Sequence, residues 1–237
     1  MFGGVIRRIL NLTSFDSATN AWETAVNANG GSVSDSRKTA VNNLIAGLKS
    51  DGVWSNLDRL WLLAAENEPS ALTSIVNPLS AIAVKQGSPA FAIDRGYTGV
   101  DASTTIYIDT KVSLSSFGGI FTQHAGHISA WSNTETISSA SGGVIVGASD
   151  TNPTYILPRY NDGNVYFNCN GNTSANITIS SSLGHYLANR SNATTLDGYV
   201  NGVDMASTNV IDQGIPAPNG TGRIIVGCPV FAELNLD

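Results

Sequence analysis

His124 and His127 form an H-x-x-H pair, a spacing that can bring two imidazole rings to one metal ion. A zinc site takes at least three protein ligands, and no third ligand is recognisable near this pair. We therefore interpret both residues as ordinary loop histidines and predict no metal centre.

Several aspartates in the second half of the chain could supply the oxygen ligands that Ca²⁺ prefers. They are Asp94, Asp101, Asp109, Asp197 and Asp204. Aspartate is also an ordinary residue of turns and strand ends. A calcium site stays open beside that interpretation, and no other cofactor is predicted.

Carboxylates suited to glycoside hydrolysis are scarce. That reaction needs two carboxyl groups about 5 to 10 Å apart on the sugar-binding face. Beyond residue 91 the glutamates are Glu135 and Glu233, which are far apart in sequence, while Glu66 and Glu68 end a predicted helix. No serine has a nucleophile-elbow context, and no glycine-rich stretch links a strand to a helix. We predict that the chain is not an enzyme.

Aromatic side chains are better candidates for a ligand site, because an exposed ring can stack on the C–H face of a sugar. The candidates are Trp131, Tyr155, Tyr160 and Tyr199. Trp131 lies in the polar segment 127–136, HISAWSNTET, which we interpret as a loop that favours exposure. For each ring the alternative is that it folds back over a sheet.

The composition indicates a folded protein with few surface charges. Hydrophobic residues make up 42% of the chain and charged residues 13%. The net charge is -6, and the 12 lysines and arginines are scattered along the sequence. Nucleic-acid binding needs clustered cations, so we expect no nucleic-acid partner.

Residues 1–14 are predicted to form a docking arm. Val5, Ile6, Ile9 and Leu10 would anchor it on another protein, since exposing them to water is unfavourable. The two arginines stand inside this apolar run, which is too short for a signal peptide or a membrane span. We therefore expect no export signal and no membrane insertion. Cys169 and Cys228 are expected to be buried thiols, with a disulfide as the alternative.

Residues 15–82 have the apolar spacing of a small helical unit. One stripe lies within 17–31 and another within 35–52, each followed by glycine, and Ser32 with Asp35 resembles a capping box. We predict a third helix over residues 57–65. The stripes comprise Ala21, Trp22, Ala25 and Val26, then Val41, Leu44, Ile45 and Leu48, then Leu60, Trp61, Leu62 and Leu63.

Residues 83–237 are predicted to be a β domain, because the apolar period changes within 91–112. Ile106, Ile108 and Val112 alternate there with polar residues, Asp109 among them, as in a half-buried first strand. Asp-Gly at 162–163 and Asn-Gly at 201–202 predict tight hairpins. Further strands are expected over 119–123, 143–147, 175–180, 185–189 and 223–228. The pattern favours a mainly β chain with an antiparallel sandwich.

Four segments of this domain resemble the concanavalin A-like, laminin-G-type jelly roll. They are DRGYTG at 94–99, YIDT at 107–110, LDGYVNGVD at 196–204 and GRIIVG at 222–227. The resemblance implies a lectin-like jelly-roll sandwich over 83–237. At the turn of 94–97 we expect Arg95 to pair with a carboxylate.

Residues 15–78 resemble a leader that precedes lectin-like domains in uncharacterised structural proteins of tailed bacteriophages and prophages. This resemblance implies a virion structural protein that is made in the host cytoplasm. We expect it to form a homo-oligomer and to contact other virion proteins. A tail or fibre adhesin that contacts a host surface glycan is the leading hypothesis. The alternatives are a capsid decoration protein, a glycan-degrading enzyme and a spacer without a ligand.

Overall fold

In the computed structural model, helices α1 (Ser17–Ala28) and α2 (Asp35–Ser50) lie where the first two helices were predicted. Asp16 caps α1 by accepting a hydrogen bond from the backbone of Ala18. Ser34, rather than Ser32, caps α2 by accepting from the backbone of Arg37. The two helices bury Trp22, Val26, Val41 and Ile45 against each other in one apolar cluster.

The structure describes residues 14–80, 82–100, 105–113, 120–122, 124–138, 144–148, 153–171, 173–209 and 223–228. The predicted anchors of the docking arm, Val5, Ile6, Ile9 and Leu10, lie outside these residues. None of the described helices is long and apolar enough to cross a membrane.

The predicted third helix is wrong. After a single 3-10 turn at Trp54–Asn56, residues 57–64 are not helical, and we call this segment the strap. Leu60 and Leu62 pack on the helical cluster, whereas Trp61 packs on a different cluster that contains Ile108. Because an apolar cluster covers each side of the strap, the side chains on both sides are apolar. Periodicity cannot distinguish such an apolar run from a buried helix. The helix in this region is the short α3 (Glu68–Leu72).

The prediction of a mainly β chain with antiparallel sheets is confirmed. A seven-stranded sheet has the order β1-β4-β13-β6-β7-β8-β9, a four-stranded sheet the order β12-β11-β10-β5, and β2 pairs with β3. The strands are β1 (Val84–Gln86), β2 (Ala90–Ala92), β3 (Gly96–Thr98), β4 (Tyr107–Ser113), β5 (Gly126–Ser132), β6 (Val144–Ala148), β7 (Thr154–Leu157), β8 (Asn164–Asn168), β9 (Ala175–Thr178), β10 (Gly184–Arg190), β11 (Thr195–Val200), β12 (Val203–Asn209) and β13 (Arg223–Cys228).

The two larger sheets contribute to one apolar core. Phe167 and Ile156 of the seven-stranded sheet are buried in the same cluster as Tyr186 and Leu196 of the four-stranded sheet. Burial of each large apolar side chain contributes about 1.5–3 kcal/mol of transfer free energy. Cys169 lies in this core as a free thiol, and burial raises its pKa to about 12. The prediction of a buried thiol is confirmed for Cys169, and the side chain of Cys228 lies outside the described residues.

Strand β4 departs from the predicted alternation and is not the first strand, because β1 to β3 precede it. Asp109 was expected to face solvent, but its side chain is 2% exposed. Its carboxylate accepts hydrogen bonds from the backbone and the ammonium group of Lys111, at 2.8 and 2.7 Å. Lys111 has a positive φ of 59°, which breaks the regular period of the strand.

Two further predictions about strands are wrong. Residues 120–122 do not form a strand, because the backbone N–H groups of Ile120 and Phe121 donate to the Asp58 carboxylate. The polar segment interpreted as a loop instead contains β5, which pairs with β10 over its whole length. The remaining predicted strands and both hairpins are present.

Candidate functional site

The outer face of the four-stranded sheet is the first candidate site. Ile128 and Ala130 of β5 pack on the core, so His127, Ser129 and Trp131 point to the opposite side. Strands β10 and β11 alternate in the same way. The outer face therefore consists of His127, Ser129, Trp131, His185, Leu187, Asn189, Asp197 and Tyr199.

Trp131 is the most exposed aromatic ring of this face. Its relative exposure is 68%, and it lies directly opposite His185 in the β5–β10 register. The two ring centroids are 6.2 Å apart with an interplanar angle of 33°. The sequence analysis placed Trp131 on a loop, but its position on a paired strand fixes the backbone beneath the ring. A large flat apolar surface is thus held open to water.

Tyr199 shares the outer face with Trp131. Tyr199 lies on β11 opposite Leu187 of β10, and Trp131 lies on β5, on the other side of β10. The spacing between strands and the rise along them place Trp131 and Tyr199 roughly 10 to 12 Å apart. Burial raises the pKa of Tyr199, and the carboxylates of Asp204 and Asp197 add to this rise. The phenol is therefore protonated near neutral pH and stands beside two acceptors of hydrogen bonds.

The other two predicted ligand-binding rings lie at the seven-stranded sheet, Tyr155 on β7 and Tyr160 in the connection between β7 and β8. Tyr155 lies opposite Asn168 and faces away from the core, because Ile156 next to it is buried there. Its hydroxyl is 2.5 Å from the Ser174 hydroxyl. Tyr160 packs edge-on against Tyr166 at 6.1 Å. The structure thus separates the four candidates into two pairs on different sheets.

A cavity of about 710 Å³ adjoins the outer face at its β5 edge. The strap lines one side of it, and His127, Ser129 and Trp131 belong to both the cavity lining and the outer face. The backbone of Leu60 is fixed from behind, since its carbonyl accepts from the N–H of Ile75 at 2.7 Å. One continuous surface therefore runs from an open sheet into a concave site. We call this concavity the strap cavity.

Four arginines occur among the described residues that line the strap cavity: Arg37, Arg59, Arg95 and Arg190. Arg59 donates to the carbonyl of Asp58 and to the Ser80 hydroxyl, and Arg190 is buried among backbone carbonyls. Arg37 pairs with Asp94. Arg95 was expected to pair with a carboxylate. Within the described part of the chain, the carboxylate of its own turn, Asp94, pairs with Arg37 instead. Arg95 is exposed and forms no ion pair there.

Asp58 is the acidic residue among the described residues that line the cavity. Its carboxylate accepts the backbone N–H groups of Ile120 and Phe121, each at 3.0 Å, across more than sixty residues of sequence. Asp58 therefore ties residues 120–122 to the strap. Its oxygens are thereby engaged in hydrogen bonds with the backbone.

Replacing Asp58 by alanine is expected to release residues 120–122 and to lower the free energy of unfolding by about 1–3 kcal/mol, because two N–H groups lose their acceptor. Amide hydrogen exchange at Ile120 and Phe121 measures this directly. Asp58→Asn keeps one acceptor oxygen and should give an intermediate effect. Unchanged amide hydrogen exchange at Ile120 and Phe121 in Asp58→Ala would contradict the role of these hydrogen bonds.

Within the described residues, the histidines do not combine with other ligands into a metal centre. His127 lies on β5, and protein atoms around its ring lower its pKa, an effect that the Asp58 carboxylate opposes. The lowered pKa favours the neutral imidazole near pH 7. No group of three or more His, Cys, Asp or Glu side chains fit for a metal occurs among the described residues.

The four described aspartates that were considered for calcium lie at three separate positions in the fold. Asp94 pairs with Arg37 at one turn, and Asp109 binds Lys111 within β4. Asp197 and Asp204 flank Tyr199. The fifth, Asp101, lies outside the described residues.

Several members of this surface, polar and apolar, were not predicted from the sequence. His185, Leu187 and Asn189 alternate with the buried Tyr186 and Ala188, so period-2 alternation could have placed them on the same outer face. No local sequence pattern predicts the position of Arg95 at the cavity. That position depends on a contact between the Arg95 turn and Asn133, which is distant in sequence.

Comparison with protein-family models finds none that matches this chain. Comparison with curated proteins also finds no match.

Proposed function

We propose that this chain is a non-enzymatic attachment protein of a bacteriophage particle that binds a host surface glycan on the outer face of its four-stranded sheet. The observation that carries the proposal is the placement of Trp131, 68% exposed, on the same regular sheet face as Tyr199. We also propose that the two larger sheets form a concanavalin-like jelly-roll sandwich, in keeping with their common core.

The chemistry of the outer face suits a sugar. The indole of Trp131 offers an apolar surface for a C–H face, and the phenol of Tyr199 offers a second ring. Asn189, Asp197 and His185 lie between or beside these rings and supply donors and acceptors for hydroxyl groups. Two aromatic rings with polar neighbours, and with the apolar Leu187 next to Tyr199, offer contacts to both the C–H and the O–H groups of an oligosaccharide.

Binding without turnover is favoured by the carboxylate content of the strap cavity. Glycoside hydrolysis needs a carboxylic acid and a second carboxylate on either side of the scissile bond. The described lining supplies Asp58, whose oxygens accept two backbone N–H groups. On the outer face, Asp197 and Asp204 flank Tyr199, and neither belongs to the described lining of the strap cavity.

A place in a virion is supported by the resemblance of residues 15–78 to a phage leader. In this proposal the helical unit and the arm of residues 1–14 attach the chain to other virion proteins, with Val5, Ile6, Ile9 and Leu10 as anchors. Removal of residues 1–14 should then prevent incorporation into particles without affecting glycan binding.

Binding of the purified protein to bacterial surface polysaccharides tests the proposed function. Trp131→Ala and Tyr199→Ala should each weaken binding by about 2 kcal/mol, or roughly 30-fold in Kd, because each removes a central ring. The polymer length should stay unchanged during incubation, as measured by size-exclusion chromatography.

Tyr155→Ala and Tyr160→Ala are the matched controls, because they remove rings from the other sheet. Loss of binding in these variants, with normal binding by Trp131→Ala, would move the site to the seven-stranded sheet. Shortening of the polymer would replace the proposal by an enzymatic one. Absence of binding to every polysaccharide would contradict glycan recognition.

A further inference from the structure

We infer that the bound saccharide is anionic, with a carboxylate that Arg95 holds at the mouth of the strap cavity. This inference rests on the proposed glycan binding and adds the chemical class of the ligand. It depends on the charge around the cavity, the contacts of each arginine and the way in which the Arg95 turn is held.

The strap cavity has a local charge opposite to that of the whole protein. Its described lining contains Arg37, Arg59, Arg95 and Arg190 but one acidic residue, Asp58. The chain as a whole has a net charge of -6. A concave site with walls of low dielectric concentrates this local positive potential and attracts anions. A cationic cavity in an acidic protein is therefore selective for a negatively charged group.

Three of these arginines already have partners. Arg190 is buried and donates to carbonyls, and Arg59 donates to a carbonyl and a serine hydroxyl. Arg37 pairs with Asp94. Arg95 is exposed, and within the described part of the chain its guanidinium has neither a carboxylate nor a hydrogen-bond acceptor. It is therefore the cation of the cavity lining that remains available to a ligand.

The Arg95 turn is held on two sides. Asp94 N–H donates to the Ala65 carbonyl at 2.9 Å, which fixes the turn next to the strap. The side-chain amide of Asn133 donates to the carbonyl of Arg95 at 2.5 Å, which fixes the turn next to the end of β5. Asn133 follows Trp131 by two residues, and both line the cavity with Arg95. The Arg95 turn and the exposed indole therefore belong to the same wall.

This arrangement matches a sugar acid. A guanidinium presents parallel N–H donors that bind a carboxylate through two hydrogen bonds, a geometry that a hydroxyl group cannot match. The ring of the same sugar can lie on Trp131 while the neutral imidazole of His127 exchanges a hydrogen bond with a hydroxyl. Because the turn is already fixed, little ordering of the backbone is needed on binding.

Uronate-containing capsular polysaccharides are suitable probes, each used in its native form and after reduction of the carboxyl groups to primary alcohols. The wild-type protein should bind the reduced polymer at least roughly tenfold more weakly, because a charge-assisted pair is lost. Arg95→Gln should bind the native polymer as weakly as the wild type binds the reduced one. Arg95→Lys should recover part of the affinity, since it keeps the charge but not the paired donors.

Lys85→Gln is the control for loss of one positive charge, because Lys85 pairs with Glu68 and does not belong to the cavity lining. It should bind both polymers like the wild type. Equal binding of native and reduced polymers, or normal binding by Arg95→Gln, would overturn the inference and leave glycan recognition intact. Failure of every polymer, native, reduced or neutral, would overturn the inference together with the proposed function.

Discussion

Replacing Arg190 by methionine is expected to lower the free energy of unfolding by about 3 kcal/mol or more, because buried carbonyl groups lose their donor. Arg190 is 3% exposed. Its guanidinium donates to the carbonyl of Asn170, to that of Asn192 at 3.3 Å and to that of Ala193 at 3.0 Å. One side chain thus links the end of β10 to two separate loops. Urea unfolding of the purified variant measures the loss.

The control for this prediction is Arg190→Lys, which keeps the charge but replaces the planar group by a single ammonium that cannot reach all three carbonyls. It should unfold at a urea concentration between those of the wild type and the methionine variant. A methionine variant as stable as the wild type would mean that apolar packing compensates for the lost hydrogen bonds.

Replacing Gly198 by alanine is the second substitution with a large expected effect. A Cβ atom at this position on β11 would lie 2.2 Å from Cδ2 of Phe167, whose ring is fully buried in the core. Such overpacking costs about 1–3 kcal/mol, and Gly198→Val should cost more because it adds two further methyl groups. Thermal unfolding and urea unfolding both report this loss.

Two further variants identify the cause. Gly47→Ala is the matched control, because a Cβ there meets nothing within 4 Å and lies in helix α2. It should stabilise the protein by about 0.5–1 kcal/mol through helix propensity. Combining Gly198→Ala with Phe167→Leu should cost less than the sum of the single changes, since the smaller side chain makes room. Strict additivity would contradict a direct clash.

Local signals were sufficient to predict several parts of the fold. Trp22 and Val41 belong to stripes with helical spacing, and both helices are present with these side chains buried, whereas Ala21 and Leu44 of the same predicted stripes are exposed. The hairpin between β11 and β12 turns at Asn201 and Gly202, which both adopt positive φ, as the Asn-Gly pair predicts. In these cases residues that are neighbours in sequence determine the structure.

Long-range contacts explain why the strap and β5 were misinterpreted. Leu60 and Trp61 are both apolar because the helical cluster covers one side of the strap and a second cluster covers the other. Polar residues around Trp131 concealed β5, because the strand lies beside an open cavity and faces solvent on its outer side. The sequence alone does not show which side of a segment is covered by distant residues.

Part of the candidate site, like part of the fold, was predictable from the sequence. Trp131 and Tyr199 could be selected as aromatic rings in polar surroundings, but the choice between them and Tyr155 or Tyr160 needed the sheet order. The position of Arg95 depends on Asn133 and on the strap, which are distant in sequence. Composition can therefore suggest a sugar-binding ring, whereas the cation beside it requires the folded structure.

Tryptophan fluorescence during titration with a bacterial surface polysaccharide tests the central claim, binding at the outer face, most directly. Trp131 is 68% exposed, whereas Trp22 is 1% exposed and Trp54 and Trp61 are half-buried. Binding should shield Trp131 from acrylamide quenching and shift its emission to shorter wavelength, and Trp131→Phe should abolish both changes. Binding detected by calorimetry with unchanged quenching of Trp131 would contradict the claim, as would the absence of any binding.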